Sequence, residues 1–360
     1  MYADSTGKIK GGGQLSLYHL IKRLNRKKFK PQVILPEKGE FYEMLKELGI
    51  KIHLVKMREI RKGNIADIMK TSFDIAKIIK KEKVSLIHVN SSRSAIYCGI
   101  AAKITRIPLI THIRVIQKEP LYDWVIAFLS TKIIAISKAV RKRFDYLSDK
   151  KVKIIYNGID VNEFKPGGEK RLKRELNLKD EFLLASVGNL NPYKGHDYVI
   201  MAFKEVKAKI KKVKLVICGE GEQKSYLMRL SKRLGLSQDV IFLGRRQDIV
   251  DVMDSIDVFL ISSFSEPFGR VICEAMACEK PVVGVKAGAI PEIVKDGKTG
   301  ILCKPKDIKE FAEAIIRLLK DEKLRKEMGK KGRERVEKFF TIERNVKEIE
   351  NLYDEILKCC

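Results

Sequence analysis

The sequence predicts an α/β protein of two domains, each a parallel sheet wound with helices on both faces. Three observations predict this class. The chain has 360 residues, too many for one ordinary domain and suited to two. Short apolar runs alternate with amphipathic stretches almost throughout, the rhythm of βαβ units. That rhythm breaks once, at the polar Phe164-Lys165-Pro166-Gly167-Gly168-Glu169-Lys170, and then restarts, so this stretch reads as an interdomain linker.

In the first half, strand-like runs fall at 33–35, 50–55, 84–89, 109–113, 133–136 and 152–156, with helical stretches such as 14–24, 65–79 and 95–104 between them. In the second half, strands are expected at 182–187, 214–218, 240–243, 258–261, 282–285 and 299–302, followed by a helical tail over 308–320, 322–339 and 342–358. The predicted domains are 1–165 and 166–340, with a closing helix in 341–360. The opening fits this scheme poorly. A doubly wound domain begins with a strand before its first Gly-rich turn. Here Met1-Tyr2-Ala3-Asp4-Ser5-Thr6-Gly7-Lys8-Ile9-Lys10 reads as no strand, so the first sheet is expected to lack a central strand, a serious packing defect.

Composition narrows the class further. A hydrophobic fraction of 45% and a charged fraction of 33% fit a globular protein and exclude collagen, low-complexity disorder and a disulfide miniprotein. The longest apolar run, 125–137, is interrupted by Lys132 and falls short of the roughly 18 residues of a membrane span. The first ten residues are polar and resemble no secretory signal, which points to the cytoplasm. The seven cysteines form no C-x-x-C, and most lie in apolar runs as small hydrophobes. Cys359-Cys360 lacks the Caa-X pattern of lipidation. The net charge is +27, and residues 1–165 carry 34 basic against 15 acidic side chains. Such a half is either a solvated lysine surface or a docking face for an anionic partner. Two basic groups stand out: Arg23, Arg26, Lys27, Lys28 and Lys30, and Lys56, Arg58, Arg61 and Lys62.

The densest chemistry lies in 261–291. Ser263-Phe264-Ser265-Glu266-Pro267-Phe268-Gly269-Arg270 follows a predicted strand and opens a helix. Ligands bind at such carboxyl ends of strands in open α/β sheets. Gly269 would let a ligand approach the backbone, and the helix N-terminus offers free N–H groups to an anion. Glu274, eight residues after Glu266, could accept hydrogen bonds from a vicinal diol such as a ribose.

These residues, with Glu274-Ala275-Met276-Ala277, Gly288-Ala289-Ile290-Pro291 and Asp296-Gly297-Lys298-Thr299-Gly300, resemble the retaining glycosyltransferases of family 4, also called glycosyltransferase group 1. The resemblance is most specific over 183–303. It implies a GT-B fold: two Rossmann-like domains facing a cleft, the donor nucleotide on the second, the acceptor on the first, and a last helix crossing back to the first. It implies that Glu266 contacts hydroxyls of the transferred sugar and Glu274 holds the ribose. The backbone at Phe268, Gly269 and Arg270 would approach the diphosphate or sugar. Lys194 would clamp the diphosphate, whereas Asn189 stands where the family commonly has Arg, one cation fewer unless Arg270 compensates. Gly219 would lie near the nucleotide and Arg245 beside the base. In the first domain, Gly13 would lie over the donor phosphates and His112, at a strand end facing the cleft, near the transferred sugar. Asn90 and Ser91 are acceptor-side candidates, and His88 reads as structural.

No Asp-x-Asp pair occurs, so no metal is expected, and no cofactor beyond the nucleoside-diphosphate sugar that serves as substrate. The partners expected are that donor, a glycan or lipid-linked acceptor and an anionic membrane surface, with no nucleic acid. A nucleotide-sugar epimerase of the same fold and a non-catalytic binder with a vestigial donor site are the competing readings.

Overall fold

In a computed structural model the chain forms two units, Met1–Gly158 with Ile342–Cys360, and Ile159–Thr341. The structure describes all residues except 10, 59, 61–63, 359 and 360, so Arg61, Lys62 and the Cys359-Cys360 pair lie outside the described residues.

The first unit is built on seven parallel strands: β1 (Tyr2–Ala3), β2 (Gln32–Leu35), β3 (Lys51–Leu54), β4 (Ile87–Val89), β5 (Leu109–Ile113), β6 (Lys132–Ala135) and β7 (Val152–Ile154), in the order β3-β2-β1-β4-β5-β6-β7. The strand expected to be missing is therefore present at the centre. Tyr2 and Ala3 pair with Val33 and Ile34 on one side and with His88 and Val89 on the other. Two buried residues are too few to stand out as an apolar run. The neighbours define them instead, with the amides of His88 and Asn90 donating to the Met1 and Ala3 carbonyls at 2.8 and 2.9 Å.

The helix Ile342–Leu357 belongs to this unit. Ile342, Val346, Ile349, Tyr353 and Ile356 recur at helical spacing and bury one stripe among Tyr2, Leu17, Leu20, Ile21 and Leu35. At its rim, Glu350 accepts from the Asn25 amide at 2.7 Å.

The second unit has six parallel strands: β8 (Phe182–Val187), β9 (Val213–Cys218), β10 (Val240–Gly244), β11 (Val258–Ile261), β12 (Val282–Val285) and β13 (Gly300–Cys303), in the order β10-β9-β8-β11-β12-β13. The stretch 164–170, expected as a linker, lies inside this unit. The buried Asp254 carboxylate draws it in, accepting from the amides of Gly168 and Lys170, both at 2.9 Å. The division falls instead at Gly158 and Ile159. Each sheet reverses its winding beside its first strand, between β1 and β4 and between β8 and β11, where α/β sheets bind ligands. Among the described residues no helix is long and apolar enough to cross a membrane.

Candidate functional site

In the second unit, three loops converge at the reversal of the sheet. After β8 the chain makes one turn, Pro192–Lys194, before the helix His196–Lys209. After β11, Ser262 Oγ donates to the carbonyls of Lys194 and Gly195 at 3.1 and 2.7 Å, and the Phe264 amide donates to Tyr193 O at 3.0 Å. The two loops are thus stitched together. Lys194 Nζ comes to 2.7 Å from Glu266 Oε2, with both side chains largely buried. A third loop fixes the glutamate, since the Ala289 amide donates to Glu266 O at 2.8 Å. A Cβ on Gly288 would collide with that carbonyl and stand 2.7 Å from Glu266 N. Gly288 is also in the left-handed region, at φ +54, so only glycine fits.

The helix Arg270–Ala277 follows, and Arg270 Nη2 lies 3.3 Å from Glu274 Oε1, one turn on. Burial pushes the Glu274 carboxyl up, and Arg270 works against that rise. Glu274 is therefore a buried, paired acid rather than a solvated one.

The other expected donor residues are spread more widely. The Phe268 side chain is buried core, set edge-on to Phe340 at 5.9 Å. A Cβ on Gly219 would strike the Gly188 carbonyl, so this glycine lets the loops after β8 and β9 touch. Asn189 is exposed in the loop after β8, and Arg245 is exposed just beyond β10. Next to it, Arg246 is held by Glu175 at 2.7 and 2.9 Å. His196, which sequence reasoning passed over, is buried with Nδ1 3.0 Å from Ser186 Oγ, and burial lowers its pKa to about 4.

In the first unit a buried polar network occupies the matching position. Asp4, directly after β1, accepts from the Ser5 amide at 2.7 Å and from Asn90 Nδ2 at 2.6 Å. Burial raises its carboxyl, against the hydrogen bonds from Asn90 and Gln14. Arg114 donates to Asn90 Oδ1 at 2.6 Å and to Asn157 Oδ1 at 2.8 Å. Gly13, in the first turn of the helix Gly12–Arg23, leaves room for this arginine, since a Cβ there would stand 3.1 Å from Arg114 Cδ. Ser91 caps the helix Ser92–Thr105, accepting from the Ser94 amide at 3.2 Å.

His112 is buried in this network and stacks on His88 with ring centroids 5.3 Å apart. Its Nδ1 is 3.1 Å from His88 Nε2 and 3.3 Å from Arg114 Nη2, and its Nε2 has no hydrogen-bond partner among the described residues. An arginine can only donate, so Nδ1 accepts and the proton sits on Nε2. His88 Nδ1 lies 2.5 Å from the Tyr353 hydroxyl, which donates to the Tyr2 hydroxyl at 3.0 Å. Burial, with Arg114, lowers His112 well below the usual histidine range and His88 to about 3. His112 is thus a neutral hydrogen-bond donor, held by contacts through His88 that reach Tyr353 on the helix Ile342–Leu357. The signals for Asp4, Arg114 and Tyr353 in the sequence were only a polar residue at a strand end, a basic residue two beyond His112 and an aromatic on a helix stripe.

Two doubly wound parallel units, with Lys–Glu and Arg–Glu pairs at the strand ends of the second, define the GT-B class of glycosyltransferases. The glycosyl transferases group 1 profile matches residues 168–335, and the glycosyltransferase family 4 profile matches residues 10–163. The chain is 30% identical to N-acetyl-alpha-D-glucosaminyl L-malate synthase of Bacillus anthracis, over 79% of this chain and 78% of that one. It is 28% identical to the UDP-Gal:alpha-D-GlcNAc-diphosphoundecaprenol alpha-1,3-galactosyltransferase of Escherichia coli, over 80% of each. The crystal structure of Anabaena Alr3699/HepE in complex with UDP-glucose superposes with a TM-score of 0.87, at 26% identity, over 98% of both chains. The chain belongs to the group 1 glycosyltransferases and is a glycosyltransferase.

Proposed function

We propose that this chain moves a hexose from a nucleoside-diphosphate donor to a hydroxyl of a glycan or lipid-linked acceptor, with retention of anomeric configuration and without a metal ion. The observation that carries the donor reading is the buried Lys194–Glu266 pair at the ends of β8 and β11. A diphosphate needs a cation and free amides; Lys194 supplies the first and the N-terminus of the helix Arg270–Ala277 the second. With donor bound, Lys194 turns to the phosphates and Glu266 accepts from hydroxyls of the sugar. Glu274 accepts from the ribose, and Gly219, Asn189, Arg245, Phe268, Gly269 and Arg270 complete the donor side.

In the reaction the bond from C1 to the diphosphate oxygen breaks, and a bond from C1 to the acceptor oxygen forms on the same face. The acceptor proton passes to the leaving phosphate oxygen, through an oxocarbenium-like transition state. His112 Nε2–H donates to a substrate oxygen, and Gly13 keeps the backbone clear beside Arg114. The relative crystallised with UDP-glucose supports a UDP-hexose donor. The relative named for a diphosphoundecaprenol-linked substrate supports a lipid-linked acceptor, met at the inner membrane face.

Nucleotide release from a panel of UDP-, GDP- and ADP-sugars, with a chelator present, tests the donor side. One donor should turn over slowly, and Glu266→Ala should cut that release by about 10²-fold or more. A loss below about tenfold in Glu266→Ala, or conversion of the donor to its epimer, overturns the reading. Once an acceptor is found, product of inverted configuration by NMR overturns retention.

A further inference from the structure

The helix Pro120–Leu129 is apolar on two faces. Its inner face, Ile126, Ala127 and Leu129, is buried. Its one charged residue, Asp123, also points inward and accepts from Arg143 Nε at 2.7 Å. The outer face therefore carries no charge. It presents Leu121, Trp124 and Phe128, exposed by 74%, 63% and 62%. Positions 121, 124 and 128 share one helical stripe, and the Trp124 and Phe128 rings stack at 6.0 Å. Contiguous exposed aromatics of this kind mark an interaction surface rather than ordinary solvent-facing residues.

The Phe128 end of this face is cationic. Lys103 Nζ stands 5.0 Å over the Phe128 ring. Lys151 donates to the Ser130 carbonyl at the end of the helix, close enough to Lys103 to feel its charge. At the other end exposed Lys118 pairs with Asp145 at 3.2 Å, beside exposed Glu119, so the positive charge is gathered at the Phe128 end. Of the basic groups expected to meet an anionic partner, Lys27, Lys30 and Lys56 are exposed, but three others hold partners within the first unit. Lys28 pairs with Asp354 at 2.5 Å, Arg58 with Asp67 at 2.8 Å, and Arg26 donates to Ile21 O at 3.1 Å.

We propose that the helix Pro120–Leu129 docks the first unit on an anionic lipid bilayer. Tryptophan and phenylalanine settle at the headgroup level, and the lysines at the Phe128 end meet lipid phosphates. Ten residues are too few to span, so the helix lies in the plane of the surface. A second copy of the chain gives the lysines at the Phe128 end no anionic group of this helix to meet, since Asp123 is buried against Arg143. The inference deepens the lipid-linked acceptor reading, and vesicle binding is scored without turnover, so either can fail alone.

Trp124 is the only tryptophan in the chain and reports on its own burial. Phosphatidylglycerol-containing vesicles at low salt should shift its fluorescence to the blue, and brominated lipid should quench it. Pure phosphatidylcholine should do neither. A Leu121→Ser, Phe128→Ser double variant should lose about tenfold or more in vesicle co-sedimentation while donor hydrolysis is unchanged. No spectral shift with anionic vesicles, binding that survives the double variant, or a blue shift driven by protein concentration alone would each overturn the proposal, the last in favour of self-association.

Discussion

The two units share a winding pattern and build their sites in different ways. In the second, three motif loops, after β8, β11 and β12, clamp one another through bonds to the backbone, and the candidate donor-binding side chains ride on that frame. In the first, side chains from four separate segments hold one another: Asp4, Asn90, Arg114 and His112, and Asn157. A backbone-clamped site tolerates loss of a single side chain bond but not a change of loop geometry. A side-chain network fails the other way round, because each member is both support and cargo.

Four measurements would break or sharpen this contrast. The largest effect is expected from Glu266→Ala, which removes the proposed sugar contact and the ion-pair partner of Lys194; turnover should fall by about 10²-fold or more. Nucleotide-release kinetics check it, and a loss below about tenfold would remove Glu266 from the reaction.

Acid should separate the units next. The first unit buries His88, lowered to about 3, and His112, lowered further below the usual range, whereas the second buries His196, lowered to about 4. Below an unfolded-state pKa of about 6.5 the unfolded chain binds protons that the folded chain refuses, so stability is complete above that pH and is lost as pH falls toward the folded values. Each histidine contributes up to about 1.4 kcal/mol per pH unit, so the first unit should weaken more steeply between about pH 6 and pH 5. Asp4 and Glu274, one raised carboxyl in each unit, oppose the trend equally in direction. Urea titrations read by hydrogen-exchange mass spectrometry resolve the two units, and equal slopes would contradict the assignment.

Gly288→Ala tests the clamp. Gly235 is also left-handed, at φ +74, but an added methyl there would have nothing within 4 Å, which makes Gly235→Ala the control. Both should lose about 1–2 kcal/mol of stability from backbone strain. Only Gly288→Ala should also lose turnover, because its methyl collides with Glu266 O. Equal activity in the two variants would mean that Glu266 is not held by this loop.

The smallest effect is expected from Tyr353→Phe, which removes the hydroxyl that contacts His88 Nδ1. Loss of that hydrogen bond costs about 1 kcal/mol, near fivefold in turnover. Nitrogen-15 NMR of the His112 ring should show the Nε2–H tautomer in the wild type and a mixture in the variant. An unchanged tautomer would end the chain of contacts at His88.

The contrast also explains what the sequence disclosed. Strands 182–187, 258–261 and 282–285 were legible to the residue, because fully buried parallel strands are continuous apolar runs bounded by turns. Lys194, Glu266 and Glu274 were legible because each sits in a short motif whose loop has one geometry. The first unit hid its centre. β1 has only two residues, and Tyr353 reaches His88 across 265 positions, a separation with no local signature. The Pro/Gly stretch at 164–170 misled for a related reason, since Asp254, far along the chain, decides its place.

The helix Ile342–Leu357 has a consequence for how the chain is made. A ribosome delivers the second unit, 159–341, as one continuous piece that has every strand of its sheet as soon as it emerges. The first unit emerges earlier but lacks Ile342, Val346, Ile349, Leu352, Tyr353 and Ile356, six side chains of its core, until that whole piece has passed. The unit synthesised first is therefore the one completed last, and its hydrophobic face waits open through roughly ten to forty seconds of translation at ordinary elongation rates.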